Sequence, residues 1–184
     1  MLTQEQEEKL IRLAQKDVNA FGPLYDAHFN TVFGFIFKRT RNQALTGELA
    51  SIVFMKAMNS LPKYKITGAP FSAWLIRIAL NEVRQYHRRT NKNTSVPLNE
   101  ADLISVYEEL DEKQSKERDL EALLSGLNQL DAEAASYIEL RFFEGRSFKE
   151  MAEILDISPD NAKVRTYRVL KQLRTIMTNF GKSE

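Results

Sequence analysis

Cysteine is absent from the 184 residues, which excludes a disulfide scaffold, a thiolate zinc site and a cysteine nucleophile. Proline and glycine are scarce, at 5 and 7 residues, and this disfavours a turn-rich sheet protein. Histidine occurs only as His28 and His87, which argues against an ordinary zinc site. There is no phosphate loop of the Walker type and no Gly-rich dinucleotide turn. The many acids stand at no diagnostic spacing and are most simply solvated faces. The sequence therefore predicts no catalytic residue, no metal and no cofactor. No apolar run approaches the roughly 18 residues of a membrane span. The opening stretch, "MLTQEQEEKLIRLAQKD", is charged and amphipathic, unlike a signal peptide, so a cytoplasmic protein without membrane insertion is expected.

What is present is a core-forming share of apolar residues, 43%, and strong charge patterning under a formal net charge of +1. Residues 70–93 carry Arg77, Arg84, Arg88, Arg89 and Lys92 against Glu82 alone. Between 98 and 121 the balance reverses, with nine acids against Lys113, Lys116 and Arg118. From 161 to 174 there are five basic residues and no acid. Two basic patches around an acidic tract fit partners of opposite charge; they also fit solvated faces of uneven composition.

Helical periodicity runs through most of the chain. Helices are predicted over 4–17, 21–40, 44–60 and 71–89. In the second, Phe21, Tyr25, Phe29, Val32 and Ile36 form an apolar stripe widened by Leu24 and Phe33. "LPKYKITGAP" is a loop. The stretch from 94 to 117 reads as an acidic linker with a short helical turn near 103–110. Further helices follow over 118–127 and 131–144, the latter capped by Asp131 and ended by Gly145. The fold class is all-α: one helical domain over 1–93 and a second over 118–180.

The second domain holds a helix-turn-helix layout. Ser147 and Glu150 have capping-box spacing and start a short helix with Met151, Ala152 and Leu155 inward. Ile157 anchors the turn, and Ser158 and Pro159 suit the start of the next helix. There, Ala162, Thr166, Val169, Leu173 and Ile176 form the inward stripe. Asn161, Arg165 and Arg168 line its flank, and Lys163 and Lys171 widen the polar side. A helix with those side chains outward fits a major groove, where Arg reads guanine and Asn reads adenine. A solvated basic face, RNA or an acidic protein surface also fits the periodicity.

In the first domain, "PFSAWLIRIALNEVRQYHRR" places Asn81, Arg84, Gln85 and Arg88 on one polar face. Tyr86, His87 and Arg89 extend the patch, with His87 either a phosphate contact or solvated. Aromatics beside arginines suit unpaired DNA; basic residues near a helix C-terminus also simply suit its dipole.

In order and spacing, these motifs resemble a sigma factor of the bacterial sigma-70 family, in its extracytoplasmic-function (ECF) group. "WLIRIALN" (74–81) and "LRFFEGRSFKEMAEILDISPDNAKVRTYRVLKQLR" (140–174) carry the resemblance. It implies a transcription initiation factor, not an enzyme, with region 2 in the first domain and region 4 in the second. The implied partners are RNA polymerase core and promoter DNA. It also admits an anti-sigma factor, and it implies a monomer when free. Residues 46–58 match the helix that docks on the polymerase, with Glu48, Leu49, Ser51 and Ile52 in the docking segment. The usual acid pair and following Gln are here Gly47, Glu48 and Ser51. Asn81, Arg84, Gln85 and Arg88 match the helix that meets the −10 element, and "KYKITGAP" the segment holding a flipped base. Asn161, Lys163, Arg165 and Arg168 match the −35 reader, where the usual Gly-Thr is Asp160-Asn161. The acidic tract, with Glu108, Glu109, Asp111 and Glu112, suits threading through a basic channel of the polymerase. Two alternatives remain: a stand-alone helix-turn-helix regulator and a protein-binding modulator of the polymerase.

Overall fold

The computed structural model describes residues 2–90, 100–110 and 116–180. All regular structure among them is helical. The chain divides into two compact units, Met1–Thr94 and Ser95–Glu184.

The first unit holds α1 (Gln4–Ala14), α2 (Gly22–Thr40), α3 (Gln43–Ser60) and α4 (Phe71–Thr90). Local chemistry sets their ends. Thr3 and Gln6 make a reciprocal capping box at α1. The helix expected over 4–17 stops early, because Asp17 caps a separate 3₁₀ turn, Val18–Phe21. Arg41 takes a left-handed φ of 50° that ends α2, and the Asn42 side chain then accepts from Leu45 N at 3.0 Å to start α3. Leu24, Val32, Ile36, Val53, Leu75, Ile76 and Val83 form the core.

Of the apolar stripe expected over 21–40, Phe21, Leu24, Val32 and Ile36 are buried, and Tyr25 is the exposed exception. The buried face is Leu24, His28, Val32, Phe35 and Ile36. Tyr25, Phe29, Phe33 and Phe37 instead form a ladder along the helix flank, with centroids 5.4, 5.5 and 6.3 Å apart. Phe29 and Phe33 are half-buried, and Tyr25 and Phe37 are exposed. Steps of four overshoot the helical repeat of 3.6, so such a row winds away from the core-facing stripe.

The start of α4 is held from the far end of the sequence. Glu7 Oε2 accepts from the Phe71 backbone N at 3.2 Å, while Glu7 Oε1 lies 2.9 Å from His28 Nε2. The hydrogen bond with His28, then that from Phe71 N and the charge of His28, outweigh burial and hold the Glu7 carboxyl below its ordinary value. Such a carboxylate stabilises the fold above its unfolded-state pKa, and that contribution is lost as pH falls through the lower folded-state value. Glu7→Gln is expected to cost about 1–3 kcal/mol near neutral pH, as charge-assisted hydrogen bonds do. Thermal denaturation of both proteins from pH 7 down to pH 3 measures it. The gap should narrow below the ordinary carboxylate range, and a gap independent of pH would contradict this account.

The second unit holds α5 (Glu100–Leu110), α6 (Lys116–Asn128), α7 (Ala132–Ile138), α8 (Phe148–Leu155) and α9 (Pro159–Phe180). In the stretch read as a linker, α5 is longer than the expected turn. It buries Leu103, Val106 and Leu110 at helical spacing, and the Leu110 carbonyl accepts from Arg174. Glu109 is exposed, whereas Asp111 and Glu112 lie outside the described residues. Asp131 caps α7 through Ala134 N at 2.7 Å. That helix passes into a π-helical turn, Glu139–Phe143, closed by Gly145 at φ 64°. Gly126 lets α6 approach α9: a Cβ there would meet Leu173 Cδ2 at 3.3 Å.

Candidate nucleic-acid interface

The helix-turn-helix of α8 and α9 is built by short-range capping. Ser147 Oγ accepts from Glu150 N at 3.2 Å, and Glu150 Oε2 accepts from Ser147 N at 2.9 Å. Burial raises the Glu150 carboxyl, but the Ser147 backbone and hydroxyl and the Arg146 guanidinium outweigh it and hold it below its ordinary value. In the turn, Asp156 adopts a left-handed φ of 58°, and Ile157 N returns to Ala152 O at 3.0 Å. Ser158 Oγ then accepts from Asn161 N at 3.2 Å to start α9. Of the residues expected inward on α8, Met151 and Ala152 are buried; Ile154 takes the place expected for Leu155, which is half-buried.

On α9 the buried side is Ala162, Thr166, Val169, Leu170 and Leu173, while Ile176 is half-buried. All four expected contact residues, Asn161, Lys163, Arg165 and Arg168, are exposed. They do not share one face. At about 100° per residue, Asn161, Val164, Arg168 and Lys171 lie together opposite the buried stripe. Lys163 and Arg165 fall on opposite flanks. Arg165 leans to α7, where its Nη1 is 3.1 Å from Glu133 Oε1 and 3.2 Å from the Tyr137 hydroxyl. Two exposed residues escaped the sequence reading: Val164, 51% exposed near the centre of the outward face, and Tyr167, 46% exposed. Their signal was there, since both are bulky residues off the inward stripe.

On α4, Asn81 and Arg88 are exposed and Arg84 and Gln85 half-buried, all along one side of the helix. Glu82, the one acid among them, pairs with Lys56 of α3 at 2.5 Å. His87 departs from both expectations for it. It is 8% exposed, so it belongs to the core and not to the basic patch, and Tyr86 meets its ring edge-on at 5.5 Å. Tyr64 is also engaged. Its ring lies 4.7 Å from Trp74 and 5.4 Å from Phe71, and its carbonyl accepts from Gln15 Nε2 at 2.8 Å. The loop thus presents Lys63 and Lys65 outward, with Tyr64 half-buried between them.

On α3, Glu48 and Ser51 are exposed and Ile52 is half-buried. Leu49 is turned into the core at 6% exposure, which corrects its placement among contact residues: it follows Glu48 directly and so points about 100° around the helix from it, away from the outer face. That face gains Met55, 59% exposed, and Met58, which the sequence reading missed. Met55 lies seven residues after Glu48, the spacing that could have revealed it.

No group of His, Asp and Glu among the described residues is arranged to hold a metal ion, and no described helix is long and apolar enough to cross a membrane.

Comparison with known proteins is consistent across both units. The family model for Sigma-70 region 2 matches residues 24–93, and that for Sigma-70, region 4 matches 120–173. The ECF RNA polymerase sigma factor BldN of Streptomyces coelicolor is 27% identical over 92% of this chain, which spans 65% of BldN's length. The RNA polymerase sigma factor CarQ of Myxococcus xanthus is 29% identical over 86% of this chain and 90% of its own. The solved structure of CnrH in complex with the cytosolic domain of CnrY shares the fold, with a TM-score of 0.54 and 22% identity over 92% of this chain and 96% of that one. Matched in order by region 2 and region 4, each within one compact helical unit, the chain belongs to the sigma-70 family of RNA polymerase sigma factors, in its ECF group.

Proposed function

We propose that this chain brings RNA polymerase core to promoters, reads two short DNA elements and aids opening of the duplex. The region 2 unit, about residues 1–93, docks on the polymerase through the outer face of α3 and meets the −10 element through Asn81, Arg84, Gln85 and Arg88. The region 4 unit reads the −35 element through α9. The joint match of both regions, one to each compact unit, carries this reading. A stand-alone helix-turn-helix regulator leaves the first unit without a role. CnrH was solved in complex with the cytosolic domain of CnrY, and an anti-sigma factor is proposed as a protein partner here too. Reconstitution with core polymerase tests the function: run-off transcripts should appear from a subset of genomic fragments only when the chain is added. Transcription unchanged by the chain, with no association with core, would overturn it.

Within that reading, exposure on the outward face of α9 supports a role for Arg168. Arg168 stands beside Val164 and Asn161 on that face, so its guanidinium is proposed to read a base edge. Arg168→Ala should cost about 1–3 kcal/mol of discrimination, confined to one or two base positions. Competition binding by the holoenzyme, with single-base variants of the upstream element, measures it. A uniform loss over all sequences with a shallower salt slope would make Arg168 a phosphate contact instead.

A further inference from the structure

We propose that Glu133 is an electrostatic brake on duplex binding: it neutralises Arg165 on the flank of α9 and withholds that cation from DNA phosphates. The inference rests on the reading of α9 as the duplex-binding helix.

The geometry is specific. One guanidinium nitrogen of Arg165 lies 3.1 Å from the Glu133 carboxylate and 3.2 Å from the Tyr137 hydroxyl. Tyr137 is 3% exposed, so its hydroxyl is a fixed post set by core packing. The ion pair itself is at the surface, with the side chains of Arg165 and Glu133 45% and 69% exposed. Exposed ion pairs contribute little to stability, so holding the fold together does not account for this one. An acid near the start of α7 suits the helix dipole, but that alone does not require it to reach Arg165.

The consequence follows from charge. Asn161, Arg168 and Lys171 face outward beside this pair, so duplex seated on α9 brings phosphates towards the Arg165 flank. A phosphate arriving there either displaces Glu133 or suffers its repulsion, because like charges brought together oppose association. Arg165 while paired adds little to counterion release; unpaired, it adds one cation. The brake is independent of sequence. It lowers affinity for every duplex, so that retention rests on the side chains facing the bases.

Glu133→Gln removes the charge and keeps the side-chain shape. Holoenzyme reconstituted with this variant should bind a duplex promoter fragment and a scrambled fragment about five- to tenfold more tightly at low salt. Its plot of log affinity against log salt should be steeper by about 0.9, the increment for one phosphate contact. In an Arg165→Ala background the same substitution should leave the salt slope unchanged, since no cation is freed, and should gain only the smaller part of the affinity that comes from the carboxylate's own repulsion of phosphate. A melting temperature equal to wild type confirms that the fold is intact. Weaker binding by Glu133→Gln, above all on the promoter fragment alone, would overturn the brake and make Glu133 a residue that positions Arg165 for productive contact. Binding and slope equal to wild type would also overturn it. These results differ from failure of the underlying reading, in which wild-type holoenzyme would hold both fragments equally and Arg168→Ala would change neither; the brake would fall with it.

Discussion

Met55→Glu should weaken association with RNA polymerase core by about thirtyfold or more and leave the melting temperature nearly unchanged. Met55 is 59% exposed on the face of α3 that also carries Glu48 and Ser51. An apolar side chain of that size at the centre of an interface contributes about 2 kcal/mol or more, and each 1.4 kcal/mol is a factor of ten. Introducing a carboxylate at the same point adds the cost of desolvating it. An exposed substitution away from packed contacts typically moves stability by no more than about 0.5 kcal/mol. Leu49→Ala is the informative contrast. Leu49 points inward between Glu48 and Ser51, so its loss should cost about 2–5 kcal/mol of fold stability through a cavity. Its effect on core binding should appear only as the folded fraction falls. Association measured by labelled-chain titration of core, alongside thermal melts, separates the two. Core affinity unchanged in Met55→Glu would move the docking face off α3.

What the sequence made legible was whatever local chemistry controls. The Asp131 cap, the Ser147–Glu150 capping box and the Ser158 cap each act within three residues, and each appears in the structure as expected. The inward stripe of α9 was equally readable, since a buried face is an average over many turns. The residues it misplaced or left unplaced are those decided by distant partners. His87 sits among arginines in the sequence, but packing of α4 against its neighbours puts it on the buried side. Tyr64 belongs to a loop whose geometry is fixed by Trp74 ten residues on and by Gln15 far before it. Glu7 reaches both His28 and the start of α4, and nothing in its local sequence announces either contact. Arg165 was readable as a flank residue, yet its pairing with Glu133 spans 32 positions and one helix crossing. On α2, Leu24, Val32 and Ile36 lie inward as expected, and Tyr25 strays for a different reason: a row spaced by four drifts off the buried face over successive turns.

The double substitution Arg84→Ala, Arg88→Ala should leave core binding intact and reduce opening of a closed promoter by about tenfold or more. Asn81, Arg84 and Arg88 follow one another along one side of α4, and Lys63 and Lys65 stand outward in the loop that precedes this helix. Glu82 is turned to Lys56 at 2.5 Å and is neutralised by it. Such a surface tracks the backbone of a separated strand by charge, and each phosphate contact on single-stranded DNA contributes about 0.7 to the salt slope. Tyr64 is packed on Trp74, so the proposed contacts to the strand are the arginines and Asn81, not a stacking ring in the loop. A separated strand must be held while base pairs are being lost, so the defect should be greatest where the enzyme has to do the melting. Permanganate footprinting of unpaired thymines measures opening on a closed promoter. Run-off transcription from that template and from one with the downstream element already unpaired, both at saturating holoenzyme, compares the need for melting. Transcription should be largely restored on the unpaired template. Equal defects on both templates would remove any special role in melting and leave these arginines as contacts made after opening. Loss of core association would count against more of the scheme, because it would place the polymerase-docking surface on α4 in place of α3.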